Sequence, residues 1–269
     1  MPLSDARFLG SIPELYDRHL GPVIFEPFAL EMATRVGRLA PRAALEVACG
    51  TGIVTRHLLE KLPANASLTA TDLNEPMLDF ARGSIPADAR LTWRTADAMA
   101  LQFPNASFDA YVCQFGFMFF PDKLVAAREA RRVLKPGSRL LFSVWDRIER
   151  NAFARIANET ITGFFPSDPP KFYRTPFGWF DEAEIRTTLE AAGFTDVRAV
   201  AVTRESTSVS AHDFATGLVL GNPVSIEIAE RGTASTEKVV DALGAALARE
   251  GGEAPFRASL HTFTVEAVA

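Results

Sequence analysis

The stretch "LEVACGTG", residues 45–52, sets a glycine-rich turn directly behind a short apolar run that carries an acid of its own. "AALEV" has the length and character of a β-strand. "GIVTRHLLEKL" behind the turn puts Val54, Leu58 and Leu62 on one helical face. A strand, a glycine turn and a helix in that order form the opening unit of a parallel α/β sheet, and such a turn commonly faces a ligand. Three readings compete for it. A phosphate-cradling loop needs a lysine after its last glycine, and Ile53 follows Gly52. A dinucleotide turn wants a third glycine three positions on, where Thr55 stands, so that match is weak. The third reading is an ordinary tight turn with no ligand.

Working outward, strands and helices alternate. Residues 23–39 carry Ile24, Phe28, Met32, Val36 and Leu39 at helical spacing ahead of the first strand. "SLTATDL" reads as a second strand, followed by a helix capped by Asn74 with Pro76 in its first turn. "RLTWRTAD" and "FDAYVCQF" give a third and a fourth strand. A helix over 122–134 stops at "KPG", residues 135–137, and "RLLFSVW" is a fifth strand. Asp181 caps a helix through Ile185, Leu189 and Ala192 that closes at Gly193. "DVRAVAV" and "HTFTVEAVA" supply strands six and seven, with a helix near 236–250 between them. This pattern predicts a mostly parallel sheet with helices on both faces.

Two acids separate the readings of the turn. Asp72 ends the second strand about twenty residues beyond the turn, where a carboxylate accepts both ribose hydroxyls of a bound nucleoside. Asp97, in "TADA" after the third strand, borders the same crevice and can accept the exocyclic amine of adenine, with the Ala98 N–H towards a ring nitrogen. Acids at successive strand ends suit a nucleoside that brings no phosphate.

These stretches resemble the class I S-adenosylmethionine-dependent methyltransferases, particularly the ubiquinone/menaquinone-biosynthesis and related small-molecule enzymes. The resemblance rests on "LEVACGTG", "TDLNEPML" (71–78), "TADAMALQFPNASFD" (95–109), "CQFGFMFFPD" (113–122), "RVLKPGSRLLFS" (132–143) and "LEAAGFTDV" (189–197). It covers residues 40–203. It implies a Rossmann-like, seven-stranded, mostly parallel sheet with an antiparallel last strand and a small cap. It also implies S-adenosyl-L-methionine as cofactor and a small-molecule acceptor. Glu46, Gly50 and Gly52, with Ala48 and Thr51 in the same turn, would surround the methionine moiety. Asp72 would hold the ribose, Leu73 and Met77 would flank the adenine, and Asp97 and Ala98 would read its edge. Gln114 would follow the strand that floors the site, and Tyr16, in the N-terminal segment, would close over the methionine end.

The expected organisation is a single domain over 1–269. It comprises an N-terminal helical lid at 1–39, a cofactor-binding core at 40–146, and cap insertions at 147–180 and 206–235. The cap carries "FFPSDPPKFYRTPFGWF" without helical or strand period, an apolar inner surface that favours an apolar or aromatic acceptor. Phe117, Trp145 and Trp179 are the candidate acceptor contacts. Of the four histidines, His19 in "YDRH" is the candidate base, weighed against a solvated or helix-end histidine.

Composition excludes other classes. With 48% hydrophobic residues and a net charge of -5, the chain has a core to bury and no basic footprint for nucleic acid. Cys49 and Cys113 are too few for a disulfide framework or a zinc site. "MPLSDARFLG" shows no leader pattern and no apolar run is long enough for a bilayer, so a cytoplasmic protein without membrane contact is expected. Two alternatives remain: a nicotinamide-dependent oxidoreductase on a related sheet, and a module that binds the cofactor without transferring methyl.

Overall fold

A computed structural model describes residues 8–269, so the reading of a missing leader at the extreme N-terminus lies mostly outside the described residues. A short helix α1 (Ile12–Leu15) runs into a π-helical segment, Tyr16–Phe25, and then into α2 (Glu26–Arg38). Pro22 lies inside the π segment and has no N–H to give. The wider winding closes with Glu26 N–H donating to the Gly21 carbonyl five residues back.

The first half of the chain then alternates as expected: β1 (Ala43–Val47), α3 (Ile53–Lys61), β2 (Ser67–Asp72), α4 (Glu75–Ser84), β3 (Leu91–Thr95), β4 (Phe108–Gln114), α5 (Lys123–Val133) and β5 (Leu134–Trp145). The second half adds α6 (Ala152–Gly163), α7 (Glu182–Ala191), β6 (Thr195–Ser208), α8 (Ala211–Leu220), α9 (Val224–Arg231), α10 (Thr236–Gly251) and β7 (Phe256–Val268). One seven-stranded sheet results, in the order β3-β2-β1-β4-β5-β7-β6. The first five strands pair in parallel, and β7 runs antiparallel to both β5 and β6. β1 and β4 are buried along nearly their whole length, as strands covered on both faces must be.

Three local expectations change. α5 ends at Val133, and Leu134 is already extended and paired with Phe108. The "KPG" glycine, at φ +78°, sits in an irregularity of β5 where the register breaks, instead of capping the helix. Asn74 occupies the N-cap position of α4, but its side chain turns back to Asp72 at 3.3 Å and caps nothing. Within 147–180 a regular helix, α6, precedes the irregular aromatic stretch, whose Phe165, Phe172, Tyr173, Phe177 and Trp179 are all buried.

The two stretches expected as cap insertions meet through α10, which packs on both α8 and α6. α8 in turn packs on the π segment. The approach is close: a Cβ on Gly217 would lie 2.7 Å from the His19 Cβ, and one on Gly221 3.1 Å from the Tyr16 backbone. The C-terminal helices thereby hold the N-terminal segment over the ends of β1 and β4.

Candidate active site

The strand order reverses direction between β1 and β4, and ligands of open α/β sheets bind outside the carboxyl ends of the strands at such a switch. A cavity of about 380 Å³ opens there, walled by the ends of β1, β2 and β4 and by the loop after β3. Backbone strain concentrates at the same place. Ala48 after β1 and Phe115 after β4 hold φ of +56° and +54°, values that side-chain-bearing residues rarely adopt and that cluster at functional sites. Gly52 begins α3 at φ +86°, and a Cβ there would meet Ile85 Cδ1 at 2.5 Å, so the turn requires glycine at that position.

Asp72 is 7% exposed and borders the cavity. Its Oδ2 accepts the Gly50 N–H at 2.9 Å and its Oδ1 the Asn74 N–H at 2.8 Å, so it ties the glycine turn to the end of β2. Burial pushes this carboxyl up from its ordinary value while those backbone donors pull it down. An ionised carboxylate has about four acceptor positions, which leaves lone pairs for two hydroxyls. Asp97 also lines the cavity and spends only Oδ1, on the Met99 N–H at 2.8 Å. Leu73, an apolar side chain 46% exposed, lies on the same wall with Met77, which is buried. A flat apolar ring on that wall would cover the exposed leucine.

A smaller recess of about 30 Å³ continues from the glycine turn towards the π segment. Glu46, Ala48, Gly50, Thr51, Gln114 and Tyr16 line it, together with Cys49. Glu46 is fully enclosed, accepts the Thr55 hydroxyl at 2.7 Å, and is pushed up to about 8 mainly by burial. Two polar atoms lining the recess have no partner: Thr51 Oγ1 and Gln114 Oε1. Gln114 is oriented by its other end, with Nε2 donating to the Phe25 carbonyl at 3.2 Å. Orphaned buried oxygens beside an acid fit the amino-acid end of a ligand. Tyr16 roofs all of this, stacked on Phe25 at 4.6 Å, and burial raises its phenol well above the ordinary value. Among the described residues no lysine, arginine or histidine lines either space, while Glu46, Asp72 and Asp97 do. Such a lining suits a cationic nucleoside and offers a pyrophosphate nothing. The residues present therefore fit S-adenosylmethionine.

Beyond Phe115 and Phe119, which border both spaces, lies an aromatic chamber of about 50 Å³. Trp145 is on its wall, stacked on Phe115 at 4.4 Å, with Phe153, Phe172 and Phe177. Phe117 and Trp179 are elsewhere. They stack with each other at 5.6 Å and pack on Phe142, inside the core behind the chamber, and line none of the three spaces. His19 also stands apart. It is 8% exposed and its Nδ1 meets Asp213 Oδ1 at 3.0 Å, which joins the π segment to α8. It lines none of the three spaces. Gly52 packs against α4 and acts on the turn's shape only.

Several lining residues escaped the sequence reading. Met99 and Asn74 stand two positions after Asp97 and Asp72, and the local turns that put them there could have been inferred from each acid's bond to a following N–H. Phe115 carried no signal, because a positive φ at phenylalanine is invisible in sequence. Asn222 and Leu218, on the chamber wall, come from the far half of the chain.

Residues 45–142 match the family model described as a methyltransferase domain. Ubiquinone/menaquinone biosynthesis C-methyltransferase UbiE of Dinoroseobacter shibae is 45% identical over 109 residues, 38% of this chain and 43% of that enzyme. The match therefore spans under half of that relative's length. Methyltransferase tpcH of Aspergillus fumigatus is 28% identical over 200 residues, 69% of this chain and 70% of the other. A crystal structure of a SAM-dependent methyltransferase from Aquifex aeolicus shares the fold, at a TM-score of 0.54 and 18% identity, covering 96% of each chain. The motif order, the acid-lined crevice at the switch point and these likenesses agree: residues 45–142 form a methyltransferase domain, and the chain is similar to the class I S-adenosylmethionine-dependent methyltransferases.

Proposed function

We propose that the protein transfers the methyl group of S-adenosylmethionine to a small aromatic acceptor held in the chamber beside Trp145. One observation carries the reading: the acid-lined cofactor crevice, without a cation among the described residues, opens past Phe115 and Phe119 into a chamber walled by aromatic side chains. Bound S-adenosylmethionine supplies an electrophilic methyl carbon on a sulfonium. Asp72 and Asp97 hold the adenosine by its ribose and its amine. Glu46, Thr51 and Gln114 receive the amino-acid end. Tyr16, pinned by Phe25, covers that end and keeps water out.

Among the described residues the chamber wall holds no His, Asp, Glu or Lys. A proton on the nucleophile therefore has no residue of the chamber to take it, and positioning supplies the main acceleration, on the order of 7–11 kcal/mol for well-aligned reactants. That favours acceptors whose attacking atom is already electron-rich, such as the oxygen or ring carbon of a phenolate. The D. shibae relative's name, a C-methyltransferase of quinone biosynthesis, points the same way.

The test is a panel of phenols and naphthols, with aliphatic amines and thiols as counterparts, incubated with methyl-labelled cofactor and separated by chromatography. Label in an arene product, with turnover rising as the phenol pKa falls towards the assay pH, is the expected result. Label only in the aliphatic amines would overturn the aromatic reading. Tighter binding of NAD than of S-adenosylhomocysteine would overturn the cofactor.

A further inference from the structure

The acceptor chamber is almost wholly hydrocarbon, and its polar side chains can be accounted for singly. Tyr16 stands at the mouth it shares with the cofactor crevice. Tyr173 is buried, and its hydroxyl donates to the Leu218 carbonyl at 3.0 Å. That leaves the Trp145 indole N–H, a donor only, and the Asn222 amide, 7% exposed, in the "GNP" turn that closes α8.

The geometry of that turn fixes the amide. Leu218 lies in the last turn of α8, where helical donors run out. The Gly221 N–H is spent on the Gly217 carbonyl, and Pro223 has no N–H. Asn222 Nδ2 bends back to the Leu218 carbonyl at 3.2 Å instead. A carbonyl neighbour settles which end of the amide is nitrogen, so Oδ1 is the end left over. No described residue donates to Oδ1. On a chamber wall that is otherwise mostly hydrocarbon, an amide oxygen without a protein donor is open to a donor carried by a ligand in the chamber.

We propose that Asn222 is a specificity-determining residue of the acceptor chamber, its Oδ1 accepting a hydrogen bond from a hydroxyl or N–H group on the aromatic acceptor. This rests on the aromatic-acceptor reading given above. Asn222 borders the chamber and not the cofactor crevice, so the group it binds is not the one that meets the methyl donor. The chamber's small volume takes the polar end of a flat molecule whose reacting end extends past Phe115 and Phe119. The acceptor class is then an arene with two functions, a distal donor and a separate nucleophilic atom. An arene of the same shape without the donor leaves Oδ1 unpaired, and sites built this way discriminate strongly.

Catechol, resorcinol and hydroquinone, each against the cresol with the same ring positions, provide the probes, since a methyl replaces the second hydroxyl at nearly equal size. Calorimetry on the wild-type protein saturated with S-adenosylhomocysteine should show the best benzenediol binding at least about tenfold tighter than its cresol. Asn222→Leu should reverse that order while S-adenosylhomocysteine affinity stays within about twofold. Because the leucine also removes the bond to Leu218, the diol-to-cresol ratio in the wild type is the primary readout and needs no variant. Equal wild-type affinities, or an unchanged preference in a folded Asn222→Leu protein, would overturn the role of Asn222 alone. Wild-type protein that binds S-adenosylhomocysteine but none of the six arenes would overturn the aromatic-acceptor reading itself.

Discussion

Glu46→Gln should abolish a pH dependence that the wild-type protein carries in cofactor binding. The Glu46 carboxyl is 2% exposed, and burial pushes it up from 4.5 to about 8, with Thr55 opposing and Asp72 adding to the rise. At pH 7 such a group retains about 0.9 of a proton. An ammonium group set beside it favours the carboxylate, so ligand binding must expel most of that proton. Calorimetry of S-adenosylhomocysteine binding at pH 7, in two buffers of different ionisation enthalpy, counts it directly, and close to 0.9 is expected. The ionised fraction grows from about 0.01 at pH 6 to about 0.24 at pH 7.5, so affinity should rise roughly 20-fold over that interval. The glutamine variant should show neither effect. Stability carries the same signature. The folded value lies above the unfolded one, so the stabilisation is complete below pH 4.5 and is lost as pH rises through about 8. By pH 7 the loss is about 3 kcal/mol, and Glu46→Gln should flatten that decline. Wild-type binding without proton release, or equal release from the glutamine variant, would refute the placement of the ammonium beside Glu46.

Asp72→Ala removes the ribose acceptor together with the anchor of the Gly50 and Asn74 N–H groups. S-adenosylhomocysteine affinity should fall about 10- to 150-fold with a modest drop in melting temperature, and undiminished affinity would contradict the ribose site. His19→Ala breaks the hydrogen bond with Asp213 and should lower the melting temperature while kcat changes less than about threefold. A loss of two orders of magnitude would make His19 the base after all. Trp179→Ala empties the stack with Phe117 and Phe142, and should cost about 3–5 kcal/mol in denaturant unfolding. A well-folded Trp179→Ala protein with only a raised acceptor KM would put Trp179 back on the chamber wall.

The sheet was legible because its evidence is local. β1, β2 and β4 announce themselves by apolar runs, and Asp122 and Asp181 cap helices where their sequence context says they should. The cofactor side was legible for a related reason: Glu46, Asp72, Asp97 and Gln114 lie at or just beyond strand ends, and parallel pairing brings those ends together. The acceptor side was not. Phe117 lies in the short turn after β4 and Trp145 at the end of β5, and nothing in sequence spacing tells that one side chain faces the core and the other the chamber. His19 and Asp213 are 194 residues apart, and a lone histidine near the N-terminus gives no hint that a carboxylate from α8 will meet it. Asn222 depends on how α8 ends, which is set by Gly221 and Pro223 only once the helix is known to be there.

A crystal structure of the protein with S-adenosylhomocysteine tests the central claim most directly. The nucleoside is expected in the crevice between β1 and β4, with both ribose hydroxyls on Asp72 and the adenine amine on Asp97. The ammonium should lie within hydrogen-bond reach of Glu46 or Gln114 Oε1. Density for the ligand outside that crevice, or in it with the ribose turned away from Asp72, would contradict the account.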